Sequence, residues 1–270
     1  MSTFVSLTYR MLLAAVCVVS CFFNLALFSS AIASAVPASN TQAAVTIQLN
    51  EAEFTYTAAP RLNEVLAPVA LDRQWYWPAA QLFRLSAGAS SVAPTAEQTQ
   101  QQILAKLTAL IADAEPELQQ ALYALAYEIK QWQVAERIIL PIDYDLARIN
   151  PAFNPRFEPG NYVLRLTERP DQVRIFGAVN SSRNTPHIGA LTVEAYLAAV
   201  SLNAYADTGK VWVIQPDGHV KAALVHAAAN NLVQPMPGAM LFIPFSASWF
   251  NKDLAELNTL VLSLAVNRVL

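Results

Sequence analysis

Two carboxylates one residue apart, Asp143 and Asp145, are the side chains of this sequence whose spacing comes nearest to a catalytic pair. If residues 138–146 are extended, as the run Ile-Ile-Leu-Pro-Ile predicts, both acids point to one face, about 7 Å apart. That separation would suit an inverting glycoside hydrolase, in which one acid protonates the leaving oxygen and the other activates water. The same pair on a solvated strand face would do no chemistry. Arg137 and Arg148 bracket the segment. Either could hold an anionic sugar or a carboxylate through its planar fork, or form surface ion pairs with the two aspartates.

The remaining candidates are sparse. His187, His219 and His226 lack the spacing of metal ligands, and no metal or cofactor site is expected. Trp75, Tyr76 and Trp77 could stack on sugar rings, or split between core and surface as strand aromatics do. No G-x-S-x-G, Walker or Rossmann glycine pattern occurs, and the whole chain holds only 7 glycines. The expectation is a protein that is not an enzyme.

The N-terminus fixes the compartment that these residues would work in. Arg10 precedes a nearly unbroken apolar run from Met11 to Phe28, and small residues then offer cleavage after Ala33 or Ala35. This is the build of a signal peptide, so residues 1–35 are expected to be removed and the rest to be exported. An uncleaved anchor and a lipobox at Cys21 are weaker alternatives, since residues after Cys21 stay apolar. Both cysteines, Cys17 and Cys21, would leave with the leader, excluding disulfides and thiolate chemistry from the mature chain. Arg10 leaves too, so 16 basic residues remain against 20 acidic, a net charge of −4. That balance gives no basic surface for nucleic acid.

The elements that must position the candidates fall into a repeated order. In the first half, 45–49 reads as a strand with 54–56 as its hairpin partner, 60–66 as a helix, and 75–84 as a strand. In the second half a strand at 173–179 leads to a polar turn region ending near Gly189. A helix at 192–197, an apolar strand from Val211 with a Pro-Asp-Gly turn, and a closing strand from Met236 to Pro244 follow. A diverged duplication fits this echo. Between Thr95 and Arg137 the period changes to helical. Ile103, Leu107, Leu110 and Ile111 form one stripe, and Leu118, Leu122, Leu125, Ile129 and Trp132 another, with a break near Asp113-Ala-Glu115. A last helix over 254–270 carries Glu256, Thr259, Ser263 and Asn267 on one line, leaving an apolar face of Leu257, Leu260, Val261 and Leu264. That face either packs on its own domain or docks a partner or a membrane surface.

Four segments carry a family resemblance: Phe176-Gly-Ala-Val, Leu191-Thr-Val-Glu-Ala-Tyr-Leu, Val211-Trp-Val-Ile-Gln-Pro-Asp-Gly and Pro237-Gly-Ala-Met-Leu-Phe-Ile-Pro. Together they resemble the SLBB-type β-grasp domains of outer-membrane polysaccharide exporters, with Ala239 where the exporters usually have Asp. The whole chain is similar to the GfcC-like capsule biosynthesis family. The resemblance implies an α+β fold of two β-grasp domains, residues 36–171 and 172–246, the first with a helical hairpin inserted at about 95–137. A C-terminal amphipathic helix over 247–270 completes it. It also implies a periplasmic accessory protein for capsule or exopolysaccharide assembly or export, whose partners are polysaccharide or the export proteins of the outer membrane and periplasm. The competing expectation is a periplasmic carbohydrate-active hydrolase using Asp143 and Asp145.

Overall fold

The computed structural model describes residues 44–85, 93–225, 233–246 and 252–269. The leader with Cys17 and Cys21, all but Ala93 of the stretch 86–93 that the sequence reads as a loop of small residues, and His226 lie outside the described residues. The fold is α+β, with two five-stranded sheets and six α-helices among those residues.

The two sheets repeat one plan. In the first, the order is β2 (Ala52–Tyr56), β1 (Val45–Leu49), β5 (Gly160–Arg165), β3 (Gln81–Leu85), β4 (Glu136–Ile138). In the second it is β7 (Arg183–Pro186), β6 (Gln172–Gly177), β10 (Met240–Ile243), β8 (Lys210–Ile214), β9 (Val220–Leu224). Each begins with an antiparallel hairpin, pairs its first and last strands in parallel, and sets a third strand antiparallel to the last. One short helix follows the hairpin in each, α1 (Leu62–Leu66) and α5 (Val193–Ala198). The difference between them lies after the third strand. The second sheet closes β8 to β9 with a tight turn, Gln215 to His219, whereas the first inserts α2 (Ala96–Asp113) and α3 (Pro116–Lys130) between β3 and β4.

Local chemistry accounts for these boundaries. Thr95 caps α2 by accepting from the Gln98 backbone N–H at 3.2 Å, and the Gln98 side chain accepts from the Thr95 N–H in return. Pro116 opens α3, where a missing N–H costs nothing. Thr192 caps α5 through the Ala195 N–H. At the end of β6 a glycine is compulsory. Gly177 has φ of +108°, and a Cβ there would lie 2.2 Å from the Ile243 carbonyl oxygen.

Three expectations about elements need correction. The stretch 75–84 is a strand only from Gln81. Pro78 lies inside a 3-10 turn at Trp77–Ala79, and the Trp75 indole N–H instead donates to the Val69 carbonyl at 2.7 Å. Pro60 does not enter α1, whose first residue is Leu62. The polar region before Gly189 holds an edge strand, β7.

The largest buried cluster joins the inserted hairpin to the second sheet. Ile103, Leu107, Leu122, Leu125, Ile129 and Trp132 share it with Phe176, Val213, Leu241 and Phe242. Trp132 meets Phe176 edge to face at 5.4 Å between centroids, and Phe176 meets Phe242 at 5.2 Å. The last helix, α6 (Lys252–Val266), buries Leu254, Leu257, Val261 and Leu264 in the same cluster, with Leu260 partly buried. Packing, not outward display, occupies its apolar face. Lys106 of α2 ties it down through Asp253 at 2.9 Å and Glu256 at 2.8 Å. Asn258 exchanges two hydrogen bonds with the Phe245 backbone. Beyond α6 the chain runs antiparallel to the segment after α3: the Ala135 N–H donates to Asn267 and the Val269 N–H to Gln133. A smaller core lies under the first sheet, with α1 covering Ile47, Leu82, Tyr162 and Leu164. No helix among the described residues is long and apolar enough to cross a membrane.

Candidate functional site

The extended segment that would have paired Asp143 with Asp145 does not form. Only residues 136–138 are strand; Pro141 cannot donate to a ladder, and Asp143 caps a helix, α4 (Tyr144–Ile149). Its Oδ1 accepts from the Leu146 N–H at 2.9 Å. Asp145 falls in the first turn of that helix, where residues two apart point away from each other. It is exposed and lies 3.6 Å from Arg148, a surface pair of little energetic weight. The Arg148 guanidinium also sits 5.4 Å from the Tyr144 ring. The same-face carboxylate pair required for the hydrolase reading is therefore absent.

Asp143 reaches a site by another route. It borders a cleft of about 450 Å³ lined also by Trp77, Ile139, Leu146, Asp217 and His219. The 3-10 turn brings Trp77 to one wall, the cap of α4 brings Asp143 to another, and the β8–β9 turn supplies Asp217 and His219. In that turn Asp217 Oδ1 accepts from the His219 N–H at 2.9 Å and lies 3.2 Å from its Nδ1. Gly218 takes φ of +92°, which disfavours other residues, and a Cβ there would lie a tight 3.1 Å from the Arg137 guanidinium. The volume is within the range of small-molecule clefts, roughly 300–1,000 Å³.

Arg137 supports this cleft and does not line it. Its guanidinium donates to the Pro216 carbonyl and lies 5.7 Å from the Phe83 ring, and the residue is half-buried. Burial brings its pKa down to about 10, well below the usual guanidinium range, with the Asp217 charge opposing the fall. It thus binds β4 to the β8–β9 turn and does not meet Asp143 or Asp145. Of the four expected binding residues, then, one lines the cleft, one props it, and Asp145 and Arg148 pair on the surface nearby. Asp217 was the residue that sequence reading missed. Its signal was the Pro-Asp-Gly turn, which directs an acid outward at the end of an apolar strand.

Trp75 and Tyr76 lie elsewhere, with the Arg73 and Arg169 guanidinium groups 5.9 Å from their respective rings. His187 Nε2 lies 3.2 Å from the Pro235 carbonyl. Among the described residues no three His, Cys, Asp or Glu side chains gather to hold a metal.

Residues 41–169 match the family described as Capsule biosynthesis GfcC, N-terminal, and residues 181–270 match Capsule biosynthesis GfcC C-terminal. The chain belongs to the GfcC capsule biosynthesis family. It is also similar to a protein of Escherichia coli K12 described as the uncharacterized protein YjbG. That protein is 29% identical over 244 residues, which cover 90% of this chain and 96% of the relative.

Proposed function

We propose that this chain is a periplasmic, non-catalytic accessory protein of capsule or exopolysaccharide assembly, and that it binds glycan in the Trp77 cleft. Family membership supports the capsule role. The leader read from residues 1–35 supports the compartment, and each sheet with its one short helix is read as a β-grasp unit of the SLBB kind. The observation that carries the binding assignment is the cleft itself, where Trp77 offers an aromatic face and Asp143 and Asp217 offer acceptors for sugar hydroxyls. Aromatic faces take the apolar side of a sugar ring, and ionised carboxylates make the stronger hydrogen bonds to its hydroxyls. The polysaccharide and the export proteins of the outer membrane remain the proposed partners.

Titrating the purified chain with capsule oligosaccharides tests this. W77A and D217N should each weaken binding at least ~10-fold, the equivalent of 1.4 kcal/mol. D143N preserves the helix cap, because Asn caps as well as Asp, so a binding loss there reports the cleft alone. Unchanged affinity in all three variants would remove the cleft from the function. Release of new reducing ends by the wild type, abolished by D143N or D217N, would replace the accessory role with hydrolysis.

A further inference from the structure

A second site lies away from the Trp77 cleft, where Arg174 and Arg268 line two adjoining hollows. One, about 330 Å³, is also bordered by Gln172, Asn184, Met240 and Arg165; the other, about 360 Å³, by Tyr127, Glu128 and Trp132. We infer that this two-arginine groove binds an anionic group on the glycan, specifically the carboxylate of a uronic acid residue.

The two hollows are unequally charged. Among the described residues bordering one or the other, the only acid is Glu128, against the three guanidinium groups of Arg165, Arg174 and Arg268. Arg174 spends its Nε on Glu128 Oε1 at 2.7 Å and one Nη on Asn184 at 3.0 Å. Arg165 gives one Nη to the Asn50 carbonyl at 2.6 Å. Among the described residues the Arg268 guanidinium has only a 3.7 Å contact to the Met240 sulfur and the Trp132 ring at 5.1 Å. A guanidinium carries five N–H donors, and a half-buried one normally spends several on acceptors. Arg268 keeps most of its own, beside a hollow large enough for a sugar ring.

Its setting is built and fixed. Arg268 follows α6 directly, where the backbone bridge to Val134 and the flanking bonds of Asn267 and Val269 hold it. Trp132 beneath it is fixed by contact with Phe176. Burial and the neighbouring Arg174 charge both lower the Arg268 pKa, with Glu128 opposing. Two cations close together in a partly dry site gain most from a shared planar anion, which can take paired N–H donors from each. The choice of a glycan to carry that anion rests on the capsule assignment; the demand for an anion does not.

Calorimetric titration compares a glucuronate-containing tetrasaccharide, a neutral glucose tetrasaccharide of equal length and inorganic phosphate. The acidic tetrasaccharide should bind at least ~10-fold tighter than the neutral one and tighter than phosphate, and added salt should narrow the difference. R268Q should abolish the preference, R268K should retain part of it, and W77A should leave it intact, separating this groove from the cleft. NMR of the unaltered chain supplies a readout independent of folding in the variants: the Trp132 indole resonance should move with the acidic ligand and not with the neutral one. Equal binding of acidic and neutral sugars, no binding of either, phosphate binding as tightly as the tetrasaccharide, or an unmoved Trp132 resonance would each overturn the assignment.

Discussion

At the scale of single residues, the strictest requirement in the molecule is Gly177. Any Cβ there meets the backbone of the strand paired beside it, and φ of +108° is closed to other side chains. G177A should therefore lower unfolding free energy by about 3 kcal/mol, measured by urea denaturation, with no route to relief by side-chain movement. Sequence reading put this glycine inside a strand running to Val179, whereas β6 ends at it. It fared worse with Asp143 and Asp145. Alternation after Ile-Ile-Leu looked like strand, and the competing signal, an aspartate capping Tyr-Asp-Leu-Ala-Arg-Ile, was overlooked. A capping residue and a strand residue are the same letter; what distinguishes them is Pro141 upstream and the helix-forming run downstream.

At the scale of elements, long apolar periods were legible and polar edges were not. The stripes on α2, α3 and α6 lie in the core or against it, because a face of four or five large apolar side chains has little alternative to burial. The edge strands β7 and β9 carry Arg-Asn-Thr-Pro and Val-Lys-Ala-Ala-Leu, which owe their extension to a neighbouring strand and not to their own pattern. The contact of α2 with α6 could not be read either, since it joins residues about 150 apart. It has a pH signature. The hydrogen bonds that Lys106 donates to Glu256 and then to Asp253 raise its pKa above the ordinary 10.5. The stabilisation is thus complete below pH 10.5 and lost as pH rises through the raised value. K106M should remove that part of the alkaline loss, so its melting temperature should change less than that of wild type as pH is taken past this value.

At the scale of the whole molecule, the helical hairpin belongs by sequence to the first half and by packing to the second. Glu128 of α3 and Arg174 of β6 form a 2.7 Å ion pair inside this junction, with the Glu128 side chain only 6% exposed. A fragment of residues 172–270 lacks α2 and α3, so Phe176, Phe242 and the inner face of α6 lose their cover. Expressed alone it should bind a hydrophobic dye and melt without a cooperative transition, and adding the first half in trans should restore one. A fragment that melts cooperatively by itself would show that the hairpin is dispensable to the second sheet. The two-sheet plan was legible because each copy keeps its own strand order; the shared core was not, because it depends on where an insertion folds back. The antiparallel seam formed by Asn267 and Val269 with Gln133 and Ala135 has a consequence in time. A chain emerging N-terminus first has residues 133–135 waiting on residues 267–269 before the larger core can shut. Until residues 267–269 have emerged, residues 133–135 have no strand to pair with, so this seam is among the last contacts to form.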